Sequence, residues 1–203
     1  MTTNTVPSLS KDQVATLNGK IRVGAAWDTS TRGHGGFLGR ISKRAGADLD
    51  AVAVLFEDGV PVRMAGLDNN DPLKNGSVLH SGDNQTGKGE GDDESIDFDL
   101  GRIDEEIDKI VVMVAAFKEA NKRMGDQGFQ GADNVEFTVY DMDGGRPEKA
   151  FRIRPSLMGR ENCVIVATLE RVGQGWLMKK ANAKVHVEHG NRDKLLMAAV
   201  NAD

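Results

Sequence analysis

The chain predicts an all-β fold: a two-sheet β-sandwich with long acidic loops at one end and few short helices. Three observations carry this. Short runs rich in β-branched residues recur through the 203 residues, Gly, Asn and Asp punctuate them, and apolar residues at helical spacing are scarce. With 39% hydrophobic residues, this length supports one good core, and hence one domain with additions. The expected organisation is an N-terminal arm or edge strand over residues 1–20, a sandwich domain over 21–187 with a basic insertion at 29–47, and a tail or short helix over 188–203.

The first expected strand, residues 21–26, runs into Trp27-Asp28. The apolar runs 49–57 and 61–65 are parted by Asp58-Gly59, a dipeptide that supplies the φ > 0 positions of a tight hairpin. Val78-Leu79 is a short strand that ends at His80. Along 95–100, Ile96, Phe98 and Leu100 point one way and Asp97 and Asp99 the other, which gives a strand with one wet face. Asp104 to Asp108 is expected to make one helical turn before a buried strand at 109–117. Runs 134–140 and 148–154 flank Asp143-Gly144, and runs 163–169 and 175–187 flank Gly173-Gln174, so both pairs read as hairpins. Residues 192–200 suit a short amphipathic helix through Leu195, Leu196, Ala199 and Val200, with a frayed end.

A net charge of −5 and a pI near 5.4 disfavour nucleic acid and anionic membranes, which need a field of the opposite sign, and favour cations or basic partners. Cys163 has no second cysteine to pair with and lies in an apolar run, so it reads as a small core residue. Residues 1–11 lack the apolar stretch of a secretory signal, and no segment has the apolar length to span a bilayer. The expectation is a soluble, cytoplasmic protein with no nucleic-acid partner and no membrane insertion. Its oligomeric state has no signature in the sequence.

The charge is concentrated. Residues 80–110 hold eleven acids against Lys88, Arg102 and Lys109, a local −8 that leaves the rest of the chain slightly positive. Within this stretch, residues 80–94 combine five acids, Asn84 and four glycines, the composition of a calcium loop: a hard cation takes six to eight oxygens, and a glycine-rich backbone can fold carboxylates and carbonyls around one point. Asp92-Asp93-Glu94, directly before a strand, repel one another unless something positive lies among them. Asp48-Leu49-Asp50 places two carboxylates on one face of a strand while Leu49 points to the core, and Asp68-Asn69-Asn70-Asp71 is a third oxygen-rich turn.

Asp83 and Glu94 have the separation of the first and last ligands of an EF-hand, but Lys88 replaces the required Gly, and the flanks read as strands. The Thr86-Gly87-Lys88-Gly89-Glu90-Gly91 run lacks the phosphate-loop pattern, and its acids would repel a phosphate. A metal-dependent hydrolase with His80 as general base is an alternative, although His34, His80, His186 and His189 show no ligand spacing with the acids. The expected protein is therefore not an enzyme.

Gly24-Ala25-Ala26-Trp27-Asp28, Asp48-Leu49-Asp50-Ala51, Asn69-Asn70 and, above all, the run Gly-Ser-Val-Leu-His-Ser-Gly-Asp-Asn-Gln-Thr-Gly-Lys-Gly-Glu-Gly-Asp-Asp-Glu over residues 76–94 resemble the signature of the TerD-like tellurium-resistance and stress-protein family. The resemblance covers roughly residues 21–184. It implies a β-sandwich that binds Ca²⁺ through acidic loops at one end, with no established enzymatic activity. It implies two adjacent Ca²⁺ sites, with ligands from Asp28, Asp48, Asp50 and Asn69 and from Asp83, Asn84, Asp92, Asp93 and Glu94, and with Gly87 and Gly89 as candidates for backbone carbonyls. The implied role is a non-catalytic Ca²⁺-binding module of a bacterial tellurite-resistance or stress-response system, in which calcium orders a surface for protein partners that the sequence does not identify. A purely structural module stabilised by calcium is the third reading.

The chain departs from the family at one place. Between Asp28 and Asp48, where the family has a short Asp- and Gly-rich loop, residues 29–47 carry Arg32, His34, Arg40, Lys43 and Arg44 with five glycines and no acid. This puts the first site in question and leaves three readings of the basic loop: docking on the acids when metal is absent, engaging a partner, or a disordered, solvated loop with no such role.

Overall fold

Three runs in this chain are apolar at nearly every position, and each becomes a strand buried on both faces. They are β3 (Asp48–Glu57), β7 (Lys109–Phe117) and β10 (Cys163–Val172), the middle of a six-stranded antiparallel sheet. The computed structural model describes residues 14–29, 48–84, 91–117, 129, 132–155, 162–187 and 192–202. In chain order the other elements are β1 (Val14–Leu17), β2 (Lys20–Thr29), β4 (Val60–Ala65), β5 (Val78–His80), β6 (Glu94–Asp99), β8 (Ala132–Asp141), β9 (Glu148–Ile153), β11 (Gly175–Val185) and α1 (Arg192–Val200). One sheet has the order β1-β11-β10-β7-β3-β4 and the other, of five strands, β5-β6-β2-β8-β9. The fold is the expected β-sandwich. The basic segment 30–47 and the glycine-rich segment 85–90 lie outside the described residues.

Period-two alternation divides each central strand between two cores. Leu49, Ala51, Ala53 and Leu55 of β3 face the other sheet, where they meet Ile21 and Val23 of β2, Ile96 and Phe98 of β6, and Phe137 and Val139 of β8. Val52, Val54 and Phe56 point the opposite way and join Met113, Cys163 and Ile165 in a second cluster. That outer face is covered by α1, which buries Leu195, Ala198 and Ala199 against it. Each large apolar side chain so buried stabilises the fold by about 1.5–3 kcal/mol.

Several boundaries differ from the sequence expectation. The end of α1 is not frayed: Ala202 is fully buried, and Lys109 Nζ donates to its carbonyl at 2.9 Å while lying over the Phe56 ring. The last strand stops at Val185, because the Asn162 side chain takes Val187 N–H at 2.6 Å and donates to Val187 O, ending the ladder with an amide clasp. β1 pairs with β11 at the edge of the six-stranded sheet. The β3–β4 turn is as expected, with positive φ at both Asp58 and Gly59. In the β8–β9 turn the left-handed residue is Gly145, one past the Asp143-Gly144 centre.

Antiparallel pairing of β2 with β6 and β8 brings the C-terminal end of β2 beside the N-terminal ends of the other two. The start of β3 and the segment after β5 reach the same end of the sandwich. This convergence positions the acidic residues.

Candidate metal centre

Glu94 continues the inward parity of Ile96 and Phe98, so a carboxylate sits at the rim of the inter-sheet core with about 1% of its surface exposed. A buried charge is tolerated only when its lone pairs are satisfied. Here Oε2 accepts from Ala51 N–H at 2.8 Å and Oε1 from Asn84 N–H at 3.0 Å. Asp50 of β3, itself buried, and Asp83, which is exposed, bring one oxygen each to the same place: the donor atoms of Asp50, Asp83 and Glu94 all lie within 4.8 Å of one another.

This donor set suits a hard divalent cation. It is all oxygen, and two oxygens on opposite sides of a calcium ion at about 2.4 Å each stand about 4.8 Å apart. It would supply three of the six to eight oxygens that calcium takes, leaving positions for loop carbonyls and water.

A second group lies beside the first. Asp93 N–H donates to Ala25 O at 2.8 Å, and Asp93 Oδ2 accepts from Trp27 N–H at 2.9 Å, which fixes the carboxylate next to Asp28. Burial raises the Asp93 carboxyl above the ordinary range, the like charges of Asp28 and Glu94 push it further, and the Trp27 N–H opposes them. Asp28 accepts a 2.8 Å hydrogen bond from Asn134 Nδ2. Asn134 has φ near +54° and lies where the β2–β8 register shifts, a bulge that re-aims the end of β8. An open cleft of about 420 Å³ is lined by Asp28, Asp93, Asn134, Glu136 and Arg154, with Arg154 Nε paired to Glu136 at 2.6 Å.

Asp92 points elsewhere. Its carboxylate lies over Gly24 on the outer face of the five-stranded sheet, where a Cβ would collide with it, and Oδ1 accepts from Tyr140 O–H at 3.1 Å. Burial raises the Asp92 carboxyl, against the pull of Tyr140, Lys149 and Arg22, while burial and the Asp92 charge push Tyr140 up to about 12. Asn84 turns its Nδ2 to Asp93, 3.2 Å from O and 3.4 Å from Oδ1. Asn69 exchanges two backbone hydrogen bonds with Gly66, and the neighbouring Asn70 carbonyl accepts from His80 N–H at 2.9 Å. Asp48 opens β3, two residues before Asp50. Gly87 and Gly89 lie outside the described residues.

The structure thus joins Asp50, Asp83 and Glu94, sets Asp93 and Asp28 alongside, and places Asp92 against Tyr140. Sequence reasoning missed Asn134 and the N–H groups of Trp27 and Ala51, none of which has a spacing signal. The burial of Glu94 was readable from its parity with Ile96 and Phe98.

His80 is held by hydrogen bonds on both sides of its ring. Its Nδ1 accepts from Gly82 N–H at 3.0 Å, so the neutral ring carries its proton on Nε2, which lies 3.0 Å from Ala51 O and 3.4 Å from Glu94 Oε2. Both nitrogens are engaged, and the residue is about 8% exposed.

The family model of the TerD domain matches residues 5–188. This chain belongs to the TerD domain family. It is 32% identical over 161 residues to Stress response protein SCP2 of Bacillus subtilis (strain 168), covering 77% of this chain and 78% of the relative. It is 34% identical over 146 residues to Tellurium resistance protein TerD of Serratia marcescens, covering 66% and 70%. Among solved structures it is similar to a homologue of telluride resistance protein (TerD) from Streptomyces coelicolor A3(2), with a TM-score of 0.68 at 20% identity, covering 92% of this chain and 99% of that one. That likeness supports the TerD fold, and α1 lies beyond the residues that the domain model matches.

Proposed function

We propose that this TerD-domain protein is a non-catalytic Ca²⁺-binding module of a bacterial tellurite-resistance or stress-response system, taking up two ions at the acidic end of the sandwich. The observation that carries the reading is the convergence of Asp50, Asp83 and Glu94 from three separate segments, with donor atoms within 4.8 Å. The first ion would be held by these three carboxylates, and the second by Asp93 and Asp28 at the mouth of the cleft. A bound ion supplies positive charge that offsets the mutual repulsion of these groups.

The chain's own residues do the remaining work. Ala51 N–H and Asn84 N–H orient Glu94, and Trp27 N–H orients Asp93, so the carboxylates are partly preorganised before metal arrives. Asp83 is exposed near the end of the described segment after β5, so its engagement would fix that exposed carboxylate and the acidic end it offers to a protein partner. Binding to the folded state alone would stabilise it by about 4 kcal/mol at a thousandfold excess over Kd. The engaged ring of His80 argues against the hydrolase alternative.

Calorimetric titration of chelator-stripped protein with Ca²⁺, with Mg²⁺ as competitor, tests this. About two ions per chain are expected, with the first lost in Asp50→Asn and Asp83→Asn. Absence of heat at millimolar Ca²⁺ would overturn the reading.

A further inference from the structure

Two dipeptides in this chain share their chemistry and one backbone feature, and differ in how the first side chain is held. They are Asn18-Gly19, the link from β1 to β2, and Asn75-Gly76, just before β5. Their glycines have φ of +70° and +73°. Asn75 is half-buried and tied at both ends of its amide: Oδ1 accepts from Ser77 N–H at 2.9 Å, as in an Asx turn, and Nδ2 donates to Asp104 Oδ1 at 3.1 Å. Asn18 is exposed, its carboxamide lies over Gly175, and it makes no hydrogen bond to any of the described residues. Gly19 O accepts from Leu100 N–H at 2.9 Å, whereas Gly19 N–H has no main-chain acceptor among the described residues.

We propose that Asn18 is a site of spontaneous deamidation, and that its two hydrogen bonds protect Asn75 from the same reaction. A following glycine has no side chain to shield its main-chain nitrogen. Gly19 N attacks Asn18 Cγ, the Cγ–Nδ2 bond breaks, and Nδ2 leaves as ammonia with the proton that Gly19 N gives up. The cyclic imide then takes up one water. Opening at Cγ leaves aspartate at position 18; opening at the main-chain carbonyl carbon leaves isoaspartate, whose chain runs on through Cγ. No other reactant is needed.

Isoaspartate adds one carbon to the main chain of a link only two residues long, between strands of opposite sheets. The added atom acts next to the pairing of Leu17 with Trp176, which ends β1. At Asn75 the same attack requires the carboxamide first to leave Ser77 N–H and Asp104 Oδ1.

The full chain, held in warm and mildly alkaline buffer with and without urea and then mapped by peptide mass spectrometry with isoaspartate resolved, tests the proposal. In urea the two Asn-Gly pairs should react at similar rates, since neither side chain is held. In the native chain Asn75 should react about tenfold or more slowly than Asn18, the factor that two net hydrogen bonds supply. Asp104→Ala removes the acceptor of Asn75 Nδ2 at an exposed position, so it should speed Asn75 and leave Asn18 unchanged. Equal native rates at the two sites, or reaction of Asn18 in urea alone, would overturn the proposal. An Asn75 rate unmoved by Asp104→Ala would overturn the protective role of that hydrogen bond.

Discussion

Glu94 of the five-stranded sheet accepts the backbone N–H of Ala51, in the six-stranded sheet, at 2.8 Å. One carboxylate therefore closes the rim of the sandwich and is also the candidate ligand of the proposed metal site. Replacing Glu94 by Ala leaves the N–H groups of Ala51 and Asn84 without their acceptor, and each buried orphan costs about 1–3 kcal/mol. The metal-free Glu94→Ala variant should lose about 3 kcal/mol in urea unfolding, and Glu94→Gln less, since its amide oxygen still accepts. An unchanged midpoint in both would show that the sheets close without this hydrogen bond.

The acidic end should make the metal-free protein more stable as pH falls from neutrality. Asp93 has a carboxyl raised in the folded state, mainly by burial and then by Asp28 and Glu94. In the window above the ordinary value of 3.8, the folded chain therefore binds the proton more readily than the unfolded one. That contribution is present at low pH and is lost as pH rises through the folded-state value. Asp93→Asn should raise the melting temperature of the metal-free protein at pH 7 and flatten its rise as pH falls from neutrality toward the ordinary value of 3.8. Melting curves in chelator decide this, and a lower melting temperature in the variant would go against it.

Tyr140 is the single tyrosine and reports on Asp92 directly. Burial and the Asp92 carboxylate push its phenol up to about 12. Absorbance titration near 295 nm should show that value in the metal-free protein and a lower one in Asp92→Asn. If Asp92 stays on Tyr140 when calcium binds, the titration will be the same with and without the ion. A fall on adding Ca²⁺ would instead show Asp92 leaving Gly24 and Tyr140 to ligate metal.

The helix α1 should be structural on one side only. Leu195 is fully buried against the outer face of the six-stranded sheet, whereas Met197 is 58% exposed. Leu195→Ala should cost about 2–4 kcal/mol. Met197→Ala should change stability by less than about 0.5 kcal/mol. Equal effects in denaturant unfolding would mean that the helix does not pack as described.

Much of this architecture is legible in the residues themselves. Alternation along Ile96, Phe98 and Leu100, and Asp58-Gly59 between two apolar runs, assign strands and a hairpin because strand periodicity and turn chemistry are local. The second core is less visible. Continuous apolar runs such as the one around Val111 to Ala116 state that both faces are covered, but not by what, and only the packing of α1 answers that. The acidic site was legible in type and not in grouping. Asp92, Asp93 and Glu94 are consecutive, yet backbone direction sends them to Tyr140, to the cleft and to the sheet rim respectively. Composition cannot report that division, since it depends on the β2–β6 register and on the close approach that Gly24 permits.

The most direct test of the central claim is the structure of the chelator-stripped protein crystallised at saturating Ca²⁺. The account predicts an ion among Asp50, Asp83 and Glu94, with calcium–oxygen distances of about 2.3–2.6 Å. Saturating calcium with no ion at these three carboxylates would contradict it.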